Sequence, residues 1–497
     1  MDYDGVSRPH PGGLPGAGLI EHTSWQQIGG AVRRITTAAL TAATLLVVGG
    51  YYGVADALDI VPGPLTVTGA GRPAAFPTAA SLDGAAGATV APYDSSAPMP
   101  DGSAVAGYAS TLAGDSRVAG ATTAVSVVDV ASGQQIAGAS QDTPLTPAST
   151  NKLLTAWAAL RTLGADHTLS TRAVLSGASS SSPTVTLIGS GDVLMADDKG
   201  DPNAVVGRAG LGDLARSTAE SLKAQGITSV AVTLDDTLFP EDQKWSSDWE
   251  AGNESFVAPI QPIMVDVSAY HDSHAYPADP ANDAAQAFSK HLQEAGITVS
   301  GVSRGQAADG ATDLASVSSA PLADILGVSL KASDNTMTEV EGRLVAAAAG
   351  KPTTFAGAAE AVKAQLSADG FPVDGVTLLD CSGLAKGNKI PASLLTSILL
   401  KAAGPDGGTA GRTLIADLPV GALDGTLNDR LVSQAGAGTV RAKTGSLDQT
   451  SSLAGIMVTS NGRLLVFSVI IDGFASGGLT NARAAMDEDF VVKLAGS

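Results

Sequence analysis

Residues 147–154 read Pro147-Ala148-Ser149-Thr150-Asn151-Lys152-Leu153-Leu154, and what they form decides what the rest of the chain must be. Leu153, Leu154, Trp157, Leu160 and Leu163 recur at helical spacing, with Pro147 near the start and Gly164 at the end. Ser149 and Lys152 therefore fall in the first turns of a helix, where residues three apart share a face. A serine hydroxyl is a poor nucleophile at its ordinary pKa and needs a neighbouring base. A lysine amine serves as that base only when burial and a second cation lower its pKa. Standing alone, S-x-x-K is ordinary surface sequence, so the assignment depends on what else the chain carries.

Two further elements follow in order, each occurring once: Ser333-Asp334-Asn335 and Lys443-Thr444-Gly445. Taken singly, the first reads as a helix N-cap and the second as a turn before a strand. Taken together they complete a site. Ser333 can relay a proton toward a leaving amine, and the Asn335 amide can orient Lys152 and a substrate backbone. Lys443 can be the second cation, and with Thr444 it offers a positive field and a hydroxyl to a terminal carboxylate. Gly445 has no side chain, which lets a substrate backbone lie against an edge strand. The backbone N–H groups of Ser149 and Ser446 are candidate donors to a tetrahedral oxyanion.

The order of elements places these motifs. Ala121 to Val130 is apolar and β-branched, and Ser132-Gly133 turns it into a second short run, a hairpin ahead of the Ser149 helix. Residues 166 to 315 show short strands, Ser and Gly loops and an acidic loop around Trp245 and Trp249, read as an inserted domain. Leu322 to Ala349 is mostly helical, and Val440 to Gly473 reads as three strands. Asn461-Gly462 suits the tight turn between the last two. A closing helix is expected over residues 481–494. No internal repeat is evident.

At 497 residues, two to three units are expected. The formal charge of -20 argues against a nucleic-acid partner, since binding a phosphate backbone needs clustered Lys and Arg. One cysteine, Cys381, permits no internal disulfide and reads as a small structural residue. The six histidines show no paired-ligand helix motif, and His271 with His274 reads as a solvated loop rather than a metal site. Gly189-Ser190-Gly191 lacks the third glycine of a dinucleotide loop. No cofactor is expected.

From Ile35 to Ala55 no residue is charged, and about 20 such residues cross a bilayer. Arg33 and Arg34 stand before the run, favouring an inside N-terminus and an exported C-terminal part. Ala55-Asp56-Ala57 also has the small-residue spacing of a cleavage site. Residues 59–115 are rich in Pro, Ala, Gly and Ser and read as a flexible spacer, with the folded part starting near Ser116.

The ordered triple resembles that of the class C, low-molecular-mass penicillin-binding proteins, the D-alanyl-D-alanine carboxypeptidase and endopeptidase family. Pro147-Ala148-Ser149, Gly189-Ser190-Gly191-Asp192, Asp380-Cys381-Ser382-Gly383-Leu384 and Asp424-Gly425-Thr426-Leu427 are also similar to family patterns, the last three as structural turns. The resemblance covers residues 116 to 495. It implies an α+β, penicillin-recognising serine transpeptidase or β-lactamase-like domain, an antiparallel sheet flanked by helices, with a domain inserted between the first and second motifs. The expected plan is a cytoplasmic tail (1–34), a transmembrane anchor or signal segment (35–58), a linker (59–115), a catalytic domain (116–165 and 316–497) and the insertion (166–315). The interval from Ser149 to Ser333 is too long for a compact β-lactamase and shorter than in the larger family members.

By the same resemblance the chain is a serine D-Ala-D-Ala carboxypeptidase, with endopeptidase activity left open. It trims peptidoglycan stem peptides through an acyl-enzyme on Ser149 with Lys152 as general base, and β-lactams acylate the same serine. Its catalytic residues are Ser149, Lys152, Ser333, Asn335 and Lys443; Thr444, Gly445 and Ser446 bind substrate. The expected location is the cell membrane with the catalytic domain outside, or secretion if the N-terminal segment is cut. The rivals are a β-lactamase, which needs fast water attack on the acyl-enzyme, and a non-catalytic wall-binding protein that retains the fold.

Overall fold

The computed structural model describes residues 95–180, 182–271, 273, 275–432 and 435–497. The tail expected at 1–34, the membrane or signal segment expected at 35–58 and most of the expected linker lie outside the described residues. Among the described residues no helix is long and apolar enough to cross a membrane.

The ordered part begins before Ser116. Residues read as the end of a flexible spacer form helix α1 (Gly102–Gly114), capped by Asp101, whose carboxylate accepts from the Ser103 amide at 2.9 Å. Val105, Ala109 and Leu112 are buried, and with the partly buried Tyr108 they hold the helix on the sheet. Strands β1 (Thr122–Asp129) and β2 (Gln135–Ala139) then form an antiparallel hairpin, followed by helix α2 (Lys152–Thr162).

The insertion comes next, with strands β3 (Ser170–Ser176), β4 (Thr184–Ile188) and β5 (Asp192–Met195), helix α3 (Leu211–Ala224), β6 (Ser229–Asp235) and β7 (Ile263–Val265). Helix α4 (Pro280–Glu294), β8 (Thr298–Arg304) and β9 (Thr312–Ser318) complete it. Its main sheet has the order β8-β6-β4-β3-β9, with β4, β6 and β8 parallel. Parallel neighbours need a crossover, and the two helices absent from the sequence reading supply it. Leu211, Leu214, Ala215, Ala219 and Leu222 on α3, with Ala281, Ala285, Phe288 and Leu292 on α4, bury one stripe each against this sheet and give the insertion its own core.

The chain returns through helices α5 (Leu322–Ala332), α6 (Asn335–Ala348), α7 (Phe355–Ala368), α8 (Ala392–Ala403) and α9 (Gly408–Ala416). Strands β10 (Val440–Leu447), β11 (Thr450–Val458) and β12 (Leu464–Asp472) follow, and helix α10 (Leu479–Ala485) continues through a wider turn to Ala495. The main sheet is antiparallel throughout, in the order β10-β11-β12-β1-β2. Both faces are covered. Leu153, Trp157, Leu395 and Leu399 pack on one side, and Val105, Leu112, Phe490 and Leu494 on the other. β12 accordingly reads as a continuous apolar run instead of alternating. Gly462 makes the β11–β12 turn at φ 88°, the conformation for which glycine is suited.

This order leaves β10 at the sheet's edge, with Lys443-Thr444-Gly445 on it and the start of α2 packed beside it.

Candidate active site

Ser149 sits in a 3-10 turn, Ala148–Asn151, that leads directly into α2. Ala148 adopts φ 49°, a left-handed conformation uncommon for a residue with a Cβ, so the turn is held against local preference. What holds it is visible. The Pro147 carbonyl accepts the Thr150 hydroxyl at 2.7 Å and the Ser452 hydroxyl of β11 at 2.6 Å. The Asn151 amide donates to the Asp380 and Cys381 carbonyls at 3.3 and 3.2 Å. Gly445 completes the fit. A Cβ there would lie 2.1 Å from Ser452 Oγ, 2.7 Å from the Pro147 oxygen and 3.1 Å from the Ser149 nitrogen. Its missing side chain thus makes room for the nucleophile's own turn, whereas the sequence suggested room for substrate.

Lys152 is fully buried, and its amine makes three contacts: Ser149 Oγ at 3.1 Å, Asn335 Oδ1 at 2.6 Å and the Ser382 carbonyl at 2.7 Å. Burial pushes its pKa down to about 8, against the pull of Asp380, Glu339, Asp334 and Glu341. Lys443 is also fully buried; its amine donates to Ser333 Oγ at 2.8 Å and to the Thr444 carbonyl at 3.0 Å. Burial, and then the charge of Lys152, hold its pKa well below the ordinary lysine range.

Ser333 closes α5 in the left-handed conformation, φ 58°, and Asp334 caps α6, accepting from the Met337 amide at 2.8 Å. The N-cap reading of this segment therefore holds for Asp334 while its two neighbours face the site. Asn335 is pinned from both ends, accepting from Lys152 and donating to the Phe256 carbonyl at 2.8 Å. The three motifs, far apart in sequence, border one cleft of about 580 Å³ that includes Ser149, Ser333, Asn335, Thr444 and Ser446 among its lining.

β10 also presents backbone. The Ala442 amide points away from β11 to the Pro419 carbonyl at 2.9 Å. The ladder keeps its register to Leu447, so amides alternate in direction and those of Thr444 and Ser446 also leave the sheet on its open edge.

Several contributors have no side-chain signature in the motifs. The Ser382 carbonyl is aimed at Lys152 because Glu339 accepts from the Cys381 and Ser382 amides at 3.0 and 2.7 Å. Asp380 accepts from Gly383 and Ala385 at 2.8 and 2.6 Å, and from the Trp249 indole at 2.9 Å. The structural turn expected at residues 380–384 also serves the site. Thr426 of the 424–427 turn reaches the Thr444 hydroxyl at 2.7 Å and lines the cleft, as do His271 and Arg483. Cys381 is buried, and burial raises its thiol well above the ordinary range, leaving it a packing residue. Among the described residues no group of three or more His, Cys, Asp or Glu is placed to hold a metal.

A two-sided antiparallel sheet with a serine at a helix start beside its edge strand is the fold of the penicillin-recognising serine hydrolases. The sequence profile of the D-Ala-D-Ala carboxypeptidase 3 (S13) family matches residues 106–278 and 273–490, and the chain belongs to that family. It is 36% identical over 371 residues to a carboxypeptidase of Mycobacterium tuberculosis, covering 73% of this chain and 77% of that one. It is 32% identical over 476 residues to carboxypeptidase DacB of Mycolicibacterium smegmatis, covering 92% and 96%. The crystal structure of penicillin-binding protein 4 from Haemophilus influenzae superposes with a TM-score of 0.61 at 22% identity, covering 76% of this chain and 94% of that one, a likeness of fold.

Proposed function

We propose that the chain is a serine-type D-Ala-D-Ala carboxypeptidase acting on peptidoglycan stem peptides through an acyl-enzyme on Ser149. The observation that carries this reading is the buried Lys152 amine, 3.1 Å from Ser149 Oγ and locked by Asn335 and the Ser382 carbonyl. In its neutral form the amine takes the hydroxyl proton as Oγ bonds to the penultimate D-Ala carbonyl carbon. The Ser149 and Ser446 amides receive the oxyanion. When the carbon–nitrogen bond breaks, the leaving D-alanine nitrogen takes a proton from Ser333 Oγ, which the Lys443 ammonium replaces. Water, activated by Lys152, then releases the shortened peptide. A β-lactam enters the same sequence and stays on the serine.

The family, the relatives and the cleft support carboxypeptidase chemistry. Residues 35–58 support a location outside the cytoplasmic membrane, tethered or released. The test is labelling by a fluorescent penicillin together with D-alanine release from a D-Ala-D-Ala peptide, in the wild type and in Ser149→Ala. Both signals should vanish in the variant. Labelling that survives the substitution overturns the assignment, and rapid multiple turnover of a chromogenic cephalosporin would make the chain a β-lactamase.

A further inference from the structure

The sequence assigned the substrate's terminal carboxylate to Lys443 and Thr444, and the cleft also holds a second cation. The Lys443 amine is fully buried and committed to Ser333 Oγ and the Thr444 carbonyl. A different cation lines the cleft. Arg483, on α10, is half-buried and donates from Nη2 to Ser446 Oγ at 2.5 Å. Ser446 and Thr444 stand two apart on β10, so their side chains share one face, and both line the cleft with Arg483.

The charges around Arg483 leave it available. Asp487, the nearest acid on its own helical stretch, is held in a two-point pair by Arg430 at 3.0 and 2.6 Å. Among the described residues no salt bridge joins Arg483 to a carboxylate, and Asp429 and Asp487 act on it only through their charge. Burial and then the neighbouring Arg430 disfavour the Arg483 charge, a penalty that an incoming anion offsets. A guanidinium keeps its charge at all working pH and presents a planar fork that fits a carboxylate.

We propose that Arg483 is the specificity-determining cation for the free C-terminal carboxylate of the leaving D-alanine, and for the ring carboxylate of a β-lactam, acting with the Thr444 and Ser446 hydroxyls. This rests on the carboxypeptidase reading above for its peptide arm. With the scissile carbonyl held between the Ser149 and Ser446 amides, the leaving residue's carboxylate is a few bonds further along β10, on the side where Arg483 reaches Ser446. The arginine would thereby favour chain ends over amidated or internal D-Ala bonds that lack a carboxylate at that distance.

The experiment compares wild type, R483Q and R483K on two substrate pairs. One is benzylpenicillin against its methyl ester, read as the second-order rate of Ser149 acylation by intact mass. The other is an acylated tripeptide ending in D-Ala-D-Ala against its C-terminal amide, read as release of D-alanine or its amide. Losing a hydrogen bond to a charged group should lower the acid-over-ester and acid-over-amide preference by about 10- to 100-fold in R483Q. R483K, which keeps the charge without the fork, should fall in between and serves if R483Q does not fold. Preferences unchanged in the variants, or equal losses on both members of a pair, overturn the proposal; the second result would mean that Arg483 only fixes Ser446. Should wild type be acylated by penicillin yet cleave neither peptide, the carboxypeptidase reading fails, while the penicillin pair still decides the role of Arg483.

Discussion

Acylation of Ser149 by a β-lactam should accelerate with pH through a single step near 8. Lys152 must be neutral to accept the hydroxyl proton, and burial holds its pKa at about 8 in place of 10.5. At pH 7 an amine of pKa 8 is about one-tenth neutral, and one of pKa 10.5 about one part in 3,000. The buried site thus gains about 300-fold in reactive base. Carboxylates pull the other way, Asp380 first and Glu339 second. E339Q, which retains an oxygen to accept the Ser382 amide, removes one such charge and should move the step to lower pH. K152R offers no neutral form at working pH and should lose about 100- to 10,000-fold in acylation, the range of general-base assistance. The assay is the second-order acylation constant from about pH 5.5 to 10, by intact mass with a pH-stable β-lactam. A flat profile between about pH 6 and 9, or a step that E339Q moves upward, would refute the assignment of Lys152 as base.

Glu341 is fully buried, and burial pushes its pKa up to about 8 against the Ser329 hydroxyl, so the fold favours its protonated form. That contribution is complete below the unfolded value near 4.5 and is lost as pH rises through about 8. E341Q should melt at the same temperature as wild type at low pH and be more stable at about pH 9, by on the order of 3 kcal/mol; a constant difference across pH would contradict this. G445A should abolish penicillin labelling, because its Cβ would meet the Ser452 hydroxyl and Pro147 carbonyl at 2.1 and 2.7 Å; a labelled, stable variant would show that the turn can shift. D129A leaves buried Arg463 without the carboxylate it meets at 2.6 and 2.7 Å, and should cost about 3 to 5 kcal/mol in chemical denaturation. A loss under about 1 kcal/mol would mean the pair contributes little.

The core of the site was legible because its side chains carry the chemistry. Ser149, Lys152, Asn335 and Lys443 have functional groups that few other residues replace, and helical spacing alone put the first two on one face. Strand β12 was legible because a sheet covered on both faces writes its inner strand as an apolar run, and Asn461-Gly462 marked the turn before it. What stayed hidden follows from the same physics. The Ser382 carbonyl that anchors Lys152 is backbone, which every residue has, and Glu339 acts only by orienting it. Arg483 lies on the closing helix, in a stretch with no motif, and becomes meaningful only when that helix packs beside β10. Residues 102–114 looked like spacer because a few apolar contacts suffice on a preformed sheet, while Ala and Gly elsewhere blur the helical period.

The sheet joins strands that lie far apart in the sequence. β1 lies between β2 and β12, and Asp129 meets Arg463 334 positions later. The insertion has a core of its own and local strand partners, so it can become compact while synthesis or export is still under way. The serine's turn cannot, since the strand residues that brace it, Gly445 and Ser452, emerge about 300 residues after Ser149. A half-delivered polypeptide therefore carries the nucleophile without its activation, and reactivity arises only once the final strands have docked.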